Sequence, residues 1–186
     1  MGIRDLRLDD LSEVQRMYQA AFAGFPWYES LTPAEVEGRF KKQTQLPGFQ
    51  GLVAIRDGSI AGAIWWESTS IEDLRQERGE RLATFAQGLR EYQNLIWERE
   101  VIVSPLFQGR GIGLALRQQF VQRVNIDYRS VLILTRMRDD NLPVIRIAER
   151  CGFLRTGIKV PSSQVLGLNH EYWYYKGVTD ATIRGV

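Results

Sequence analysis

A single cysteine, Cys151, and a single histidine, His170, are all that this chain of 186 residues holds of those two types. One thiol excludes an intrachain disulfide and any zinc site built on cysteines. One imidazole leaves no histidine cluster for a metal and argues against a serine–histidine triad with a spare base. An excess of charge is lacking too: 24 basic against 22 acidic residues leave +2, so no global field calls for a nucleic-acid partner. No apolar run approaches the ~18 residues that would cross a bilayer. The opening "MGIRDLRLDD" carries charge where a secretory signal has its apolar segment. With Leu6 where a myristoylation signal needs Ser or Thr, the expectation is a cytoplasmic protein with no membrane partner.

What is present is an ordinary globular balance, 44% apolar and 25% charged, over a length that suits one domain spanning 1–186. Ile3 to Leu8 reads as a short first strand, and Asp9 or Asp10 can cap a helix through Ala21 with Leu11, Val14, Met17 and Tyr18 at helical spacing. Phe25, Trp27 and Tyr28 sit in a turn-rich aromatic loop, after which Thr32-Pro33 and Glu35 open a second helix to about Gln45. Two apolar runs joined by Asp57-Gly58 predict a hairpin. Residues 69–92 read as a charged helical insertion with Leu82, Phe85, Ala86 and Leu89 on one stripe. The strand "NLIWEREVIVSP" stops at Pro105, and a helix from about Gly111 to Val124 follows. Then come "SVLILT", a strand apolar enough for burial on both faces, a short helix over 141–150 and two closing strands. The order β α α β β (α) β α β α β β predicts a mixed α/β fold: a central twisted sheet of about six to seven strands flanked by helices, with the helical insertion between the third and fourth strands.

The stretch "VIVSPLFQGRGIGLAL" places Gly109, Gly111 and Gly113 at alternate positions between a strand and a helix. Amides at a helix start lack internal partners and carry the positive end of the dipole, so a glycine turn there is a pyrophosphate site. The Walker pattern fails because no Lys-Ser/Thr follows. The dinucleotide fingerprint fails because its third glycine position holds Leu114 or Leu116, depending on where counting starts.

Val103, Pro105, Gln108, Gly111 and Gly113 resemble the acetyl-CoA signature of the GNAT superfamily of N-acyltransferases, V-x-P-x-x-[QR]-x-x-G-x-[GA]. Asn141, Ile147, Glu149, Gly152 and Phe153 are similar to the family's second segment. The resemblance implies a GNAT-like fold and acetyl-CoA as co-substrate, with no metal. It implies that the backbone of Val101, Ile102 and Val103 pairs with pantetheine and that the amides of Gln108, Gly109, Arg110, Gly111, Ile112 and Gly113 hold the pyrophosphate. Arg110 would add charge there, Asn141 would bond a pantetheine amide, and splayed fourth and fifth strands would admit the pantetheine arm.

Acyl transfer to an amine needs a base, an oxyanion donor and an exit for the thiolate. A main-chain N–H near Val101 to Val103 suits the oxyanion. Glu98 and Glu100 fall on one strand face by the period of two and are the candidate bases, Glu100 ahead of Glu98; ordinary strand carboxylates paired with arginine are the alternative. The family's tyrosine acid falls at Ala148 here, leaving Cys151, Tyr172, Tyr174, Tyr175 or water. His170 is expected on a surface loop.

For the acceptor, Phe25, Trp27, Tyr28 and Tyr172 to Tyr175, with one of Trp65 and Trp66, would form aromatic walls, and Glu67, Glu98 and Glu100 would suit a cationic amine. Core packing explains the same aromatics equally well. The reading is transfer of an acetyl group to a primary amine of a small molecule by direct attack in a ternary complex. A peptide N-acetyltransferase, a non-catalytic coenzyme A-binding module favoured by Ala148, and a nucleotide-binding regulator are the alternatives. The insertion can cover the pocket or form a homodimer surface.

Overall fold

A computed structural model describes residues 1–24, 27–89, 91–163 and 165–178. Among the described residues seven strands form one sheet: β1 (Gly2–Asp5), β2 (Gln50–Arg56), β3 (Ser59–Ser68), β4 (Asn94–Val103), β5 (Ser130–Arg138), β6 (Leu154–Pro161) and β7 (Asn169–Val178). Their order across it is β1-β2-β3-β4-β5-β7-β6. All neighbours are antiparallel except β4 and β5, which need a crossover helix to run parallel. Six α-helices of the described residues flank the sheet: α1 (Leu11–Ala23), α2 (Pro33–Gln43), α3 (Ile71–Arg78), α4 (Glu80–Gly88), α5 (Ile112–Asp127) and α6 (Leu142–Arg150). None of the described helices is long and apolar enough to cross a membrane.

Local chemistry accounts for the boundaries. Thr32 accepts from the Glu35 amide at 3.3 Å while Glu35 accepts from the Thr32 amide at 2.7 Å, and Pro33 supplies the first turn of α2. Ser70 and Asp73 repeat the device on α3. Asp57 and Gly58 both take positive φ, as a two-residue hairpin turn requires.

Three apolar clusters hold the layers. On one face α5 packs Ile112, Leu116, Phe120 and Val124 against Ile64, Trp66, Ile96 and Ile133. On the other, α1 and α2 press Val14, Tyr18, Val36 and Phe40 onto Val53, Trp65 and Ile102. The insertion docks Leu74, Leu82 and Ala86 on Trp97, Leu134 and Tyr172. The stripe expected there does face the body, with Leu82 and Ala86 fully buried.

Two irregularities in β4 make the site. Its pairing with β5 runs from Asn94–Val131 to Trp97–Leu134 and stops among the described residues, so the strands part and a cleft opens beyond them. On the opposite edge Trp66 pairs with Glu98 but Trp65 with Glu100, which leaves Arg99 as an extra residue in a β-bulge. The bulge overturns the period-of-two expectation. Trp66 lies on the α5 face and Trp65 on the α1/α2 face, so Glu98 and Glu100 go to opposite faces with them.

Candidate active site

The parted strands and the helices around them enclose a cleft of about 980 Å³. One half is built from the β4 end, the glycine turn and the start of α6. Val101, Ile102, Val103, Gln108, Gly109, Gly111, Ile112, Gly113 and Asn141 all line it. Gly109 and Gly111 take φ of 74° and 77°, the left-handed region, with open space where a Cβ would sit. Their need is conformational: only such a turn points successive amides one way at the start of α5. The first bond of that helix runs from the Ala115 amide to the Gly111 carbonyl at 3.0 Å, leaving the amides before it for a ligand. Asn141 caps nothing with its side chain and is nearly buried at the cleft wall. Arg110 is the exception: it is exposed outside the lining, with its guanidinium 5.7 Å from the Phe107 ring.

Glu98 and Glu100 also border the cleft, in different company. Glu98, 1% exposed, is held on the α5 side by Arg117 through Nε at 3.1 Å and through Nη2. Its second oxygen, Oε2, is buried without a partner among the described residues. Glu100 makes no such pair among the described residues. Burial in this pocket raises its carboxyl to about 7, against the opposing pull of Arg39 and Arg136.

The other half of the cleft collects residues from distant parts of the chain: Tyr18 and Phe22 of α1, Trp27 and Glu29, Arg39 and Gln43 of α2, Arg78 of α3, Trp97, Arg99 and Glu100 of β4, Arg136 and Arg138 of β5, and His170 of β7. Tyr18 accepts from Arg39 Nη1, and its phenol is pushed up by burial first and by Glu100 second. Trp27 lies 4.5 Å from the Arg138 guanidinium and stacks near His170, with ring centroids 6.3 Å apart at 15°.

Several expectations change here. Trp65 and Trp66 are both core residues outside the lining, and Trp97 takes the wall instead. Tyr172, Tyr174 and Tyr175 do not line the cleft. Tyr175 accepts from Asn125 at 2.9 Å, and Tyr172 is buried under the insertion. Cys151 lies outside the lining as well, its thiol pushed up by burial. Ala148 is fully buried on the inner face of α6 and carries no hydroxyl to offer from that position. Glu67 is bound by Arg99 through two bonds of 2.6 Å, so it offers no free carboxylate to a cationic ligand. Phe25 lies outside the described residues. The insertion brings Arg78 into the wall of the cleft.

His170 is not on a surface loop. It belongs to β7, opposite Arg138 of β5, and is buried. Burial first, then Arg136 and Arg138, lower its pKa to about 4. A base whose folded pKa falls below its unfolded value of about 6.5 contributes stability in full above that pH and loses it as pH drops toward 4. We expect the thermal midpoint of the native protein to fall over that window more steeply than that of His170→Phe, which keeps an aromatic ring against Trp27. Parallel slopes in calorimetry at pH 4 to 7 would contradict this.

Sequence reasoning missed Tyr18, Arg39, Arg78, Arg99, Arg136 and Arg138. Only Arg136 and Arg138 had a readable signal, as alternate charges ending an otherwise apolar strand.

Comparison with known proteins gives a consistent result. A family model described as the acetyltransferase (GNAT) family matches residues 12–153. No curated protein sequence matches the chain. Among solved structures, the ribosomal-protein-S18-alanine N-acetyltransferase of Escherichia coli superposes with a TM-score of 0.67 at 15% identity, covering 100% of this chain and 99% of that one. A phosphinothricin acetyltransferase of Sinorhizobium meliloti in complex with acetyl-CoA gives 0.65 at 19% identity, with 100% and 92% covered. An N-acetyltransferase of Staphylococcus aureus gives 0.65 at 16%, with 94% and 96% covered. At such identities the structural likeness establishes the fold alone.

Proposed function

The chain belongs to the GNAT acetyltransferase family, and from that premise we propose that it transfers the acetyl group of acetyl-CoA to a primary amine of a small molecule, by direct attack in a ternary complex. The observation that carries this reading is Glu100. It stands where the donor half of the cleft meets the aromatic and charged half, with a carboxyl raised to about 7. That is a value suited to taking a proton near neutrality.

Acetyl-CoA fits the donor half. The amides of Gln108 to Gly113 would hold the pyrophosphate, and Arg110, exposed on the same turn, would have to swing from the Phe107 ring to add charge. The free edge of Val101 to Val103 would pair with pantetheine, and Asn141 would bond one of its amides. A solved relative with acetyl-CoA bound supports that donor. A main-chain N–H of the 101–103 segment would meet the oxyanion as the amine attacks the thioester carbonyl. Glu100 accepts the ammonium proton, directly or through one water, before the attack. The carbon–sulfur bond then breaks and coenzyme A leaves as thiolate. With Ala148 at the usual tyrosine position and the β7 tyrosines turned away, its proton would come from water.

Among the similar structures, one is named for a ribosomal-protein alanine and another for phosphinothricin, so the choice of acceptor rests on the cleft. Arg78 of the insertion and Trp27 both stand in the wall of the acceptor half, and a cleft walled in this way favours a small molecule over a protein chain. A non-catalytic coenzyme A-binding module remains the second reading, favoured by Ala148. Release of free thiol from acetyl-CoA across a panel of amines tests both. Turnover on at least one small amine is the expected result, and tight acetyl-CoA binding with no turnover on any amine or peptide would favour the module.

A further inference from the structure

Five arginines face the acceptor half of the cleft: Arg39, Arg78, Arg99, Arg136 and Arg138. Four of them have carboxylates beside them. Arg39 lies 4.0 Å from Glu29, Arg78 3.3 Å from Glu77, Arg99 2.6 Å from Glu67 and Arg138 2.7 Å from Asp140. Arg136 has no hydrogen-bond or ion-pair partner among the described residues. It is also the one exposed residue in the run Val131–Arg138 of β5, whose other members are buried, and the space it is exposed to is the cleft. A guanidinium at the wall of a protein cavity, without a counter-ion, is a binding group for an oxyanion. The neighbouring groups reinforce this. His170 stays neutral over the working range, and Arg78, whose guanidinium feels the charge of Arg136, lines the same cleft.

Glu100 is the opposite pole. No ion pair joins it to Arg136, although the two act on each other across the cavity. Resting on the acetyltransfer reading above, we propose that the acceptor is a zwitterion, with its amine at Glu100 and a carboxylate or phosphate group of the same molecule at Arg136. Such a ligand supplies each pole with the counter-charge that the protein withholds. It also accounts for Glu98, a carboxylate of the cleft wall that is already bound by Arg117 and so does not draw a polycation in. Tyr18, Phe22 and Trp27 would pack the apolar connection between the two groups.

The test is calorimetric titration of the enzyme–coenzyme A complex, run beside thiol release from acetyl-CoA. The probes are the twenty common α-amino acids, ω-amino carboxylates from glycine to 5-aminopentanoate, and 2-aminoethyl phosphate. Each carboxylate is compared with its methyl ester, and the phosphate with ethanolamine. At least one oxyanion-bearing amine should bind tenfold or more tightly than its neutral partner. Arg136→Gln should remove that preference, and Arg136→Lys should restore part of it. The carboxylate and phosphate arms tell the two oxyanions apart. Neutral partners that bind as well as every oxyanion-bearing probe, or a preference that survives Arg136→Gln, would overturn the assignment even with full acetyl transfer. Preferential binding without turnover would instead count against the acetyltransfer reading and leave the oxyanion site standing.

Discussion

Replacing Glu100 by Gln is expected to lower kcat by roughly a hundredfold or more, the range for loss of a general base, while the affinity for acetyl-CoA stays where it was. The donor's contacts in the proposed complex come from the turn at Gln108 to Gly113, the 101–103 backbone and Asn141, none of which needs the Glu100 side chain. The pH dependence carries the diagnosis. A base with a carboxyl raised to about 7 is inactive when protonated, so the native rate should climb as pH rises through that value. The Gln variant should lack this limb, its residual rate rising only with the fraction of unprotonated amine. An inflection near 7 that persists in the variant would remove Glu100 from the role. Stability should move in the other direction. A carboxyl whose folded pKa lies above its unfolded value of about 4.3 adds stability below that value and loses it as pH rises through about 7. Relative to the native protein, Glu100→Gln should therefore gain in thermal midpoint between pH 5 and 8, which separates lost chemistry from lost folding.

Arg117→Met is expected to be the most damaging single change to folding, costing about 3–5 kcal/mol. Arg117 and Glu98 are each 1% exposed, and the Arg117 guanidinium also donates to the Val144 carbonyl at 3.3 Å. Removing the cation strands a carboxylate that already has one oxygen unpartnered. In a chain of this size a loss of that order lowers the melting midpoint by roughly 10 °C. The double variant Glu98→Leu/Arg117→Met should recover most of the loss, because an apolar pair of similar volume carries no desolvation cost. Equal instability of the single and double variants in urea titrations would show that packing of Arg117, rather than the stranded charge, accounts for the effect. The same pair bears on the choice of base. Glu98 is committed to a cation on the α5 face, whereas Glu100 faces the α1/α2 side, where the proposed acceptor half of the cleft lies.

Much of this architecture follows from local rules that act over a few residues. Alternation and apolar runs predict the strands, Thr32-Pro33 with Glu35 predicts the start of α2, and Asp57-Gly58 predicts the hairpin; each is observed because its cause is contained in the segment itself. The glycine turn is legible for the same reason: Gly109 and Gly111 are the residues that tolerate its left-handed backbone. So the chain's own sequence determines the family, the mixed sheet and the position of the glycine turn. The proposed acceptor site is another matter. The bulge at Arg99 arises only when β4 pairs with β3, some thirty residues earlier, and it reverses the face on which Glu100 stands relative to Glu98. Likewise Tyr18 and Arg39 read as ordinary helical residues, and Arg78 as part of a charged insertion, until packing turns them toward one cavity. Which carboxylate keeps a high pKa, and which arginine keeps no partner, depends on burial and on pairings across the sheet. Those are properties of the assembled layers, and no window of the sequence contains them.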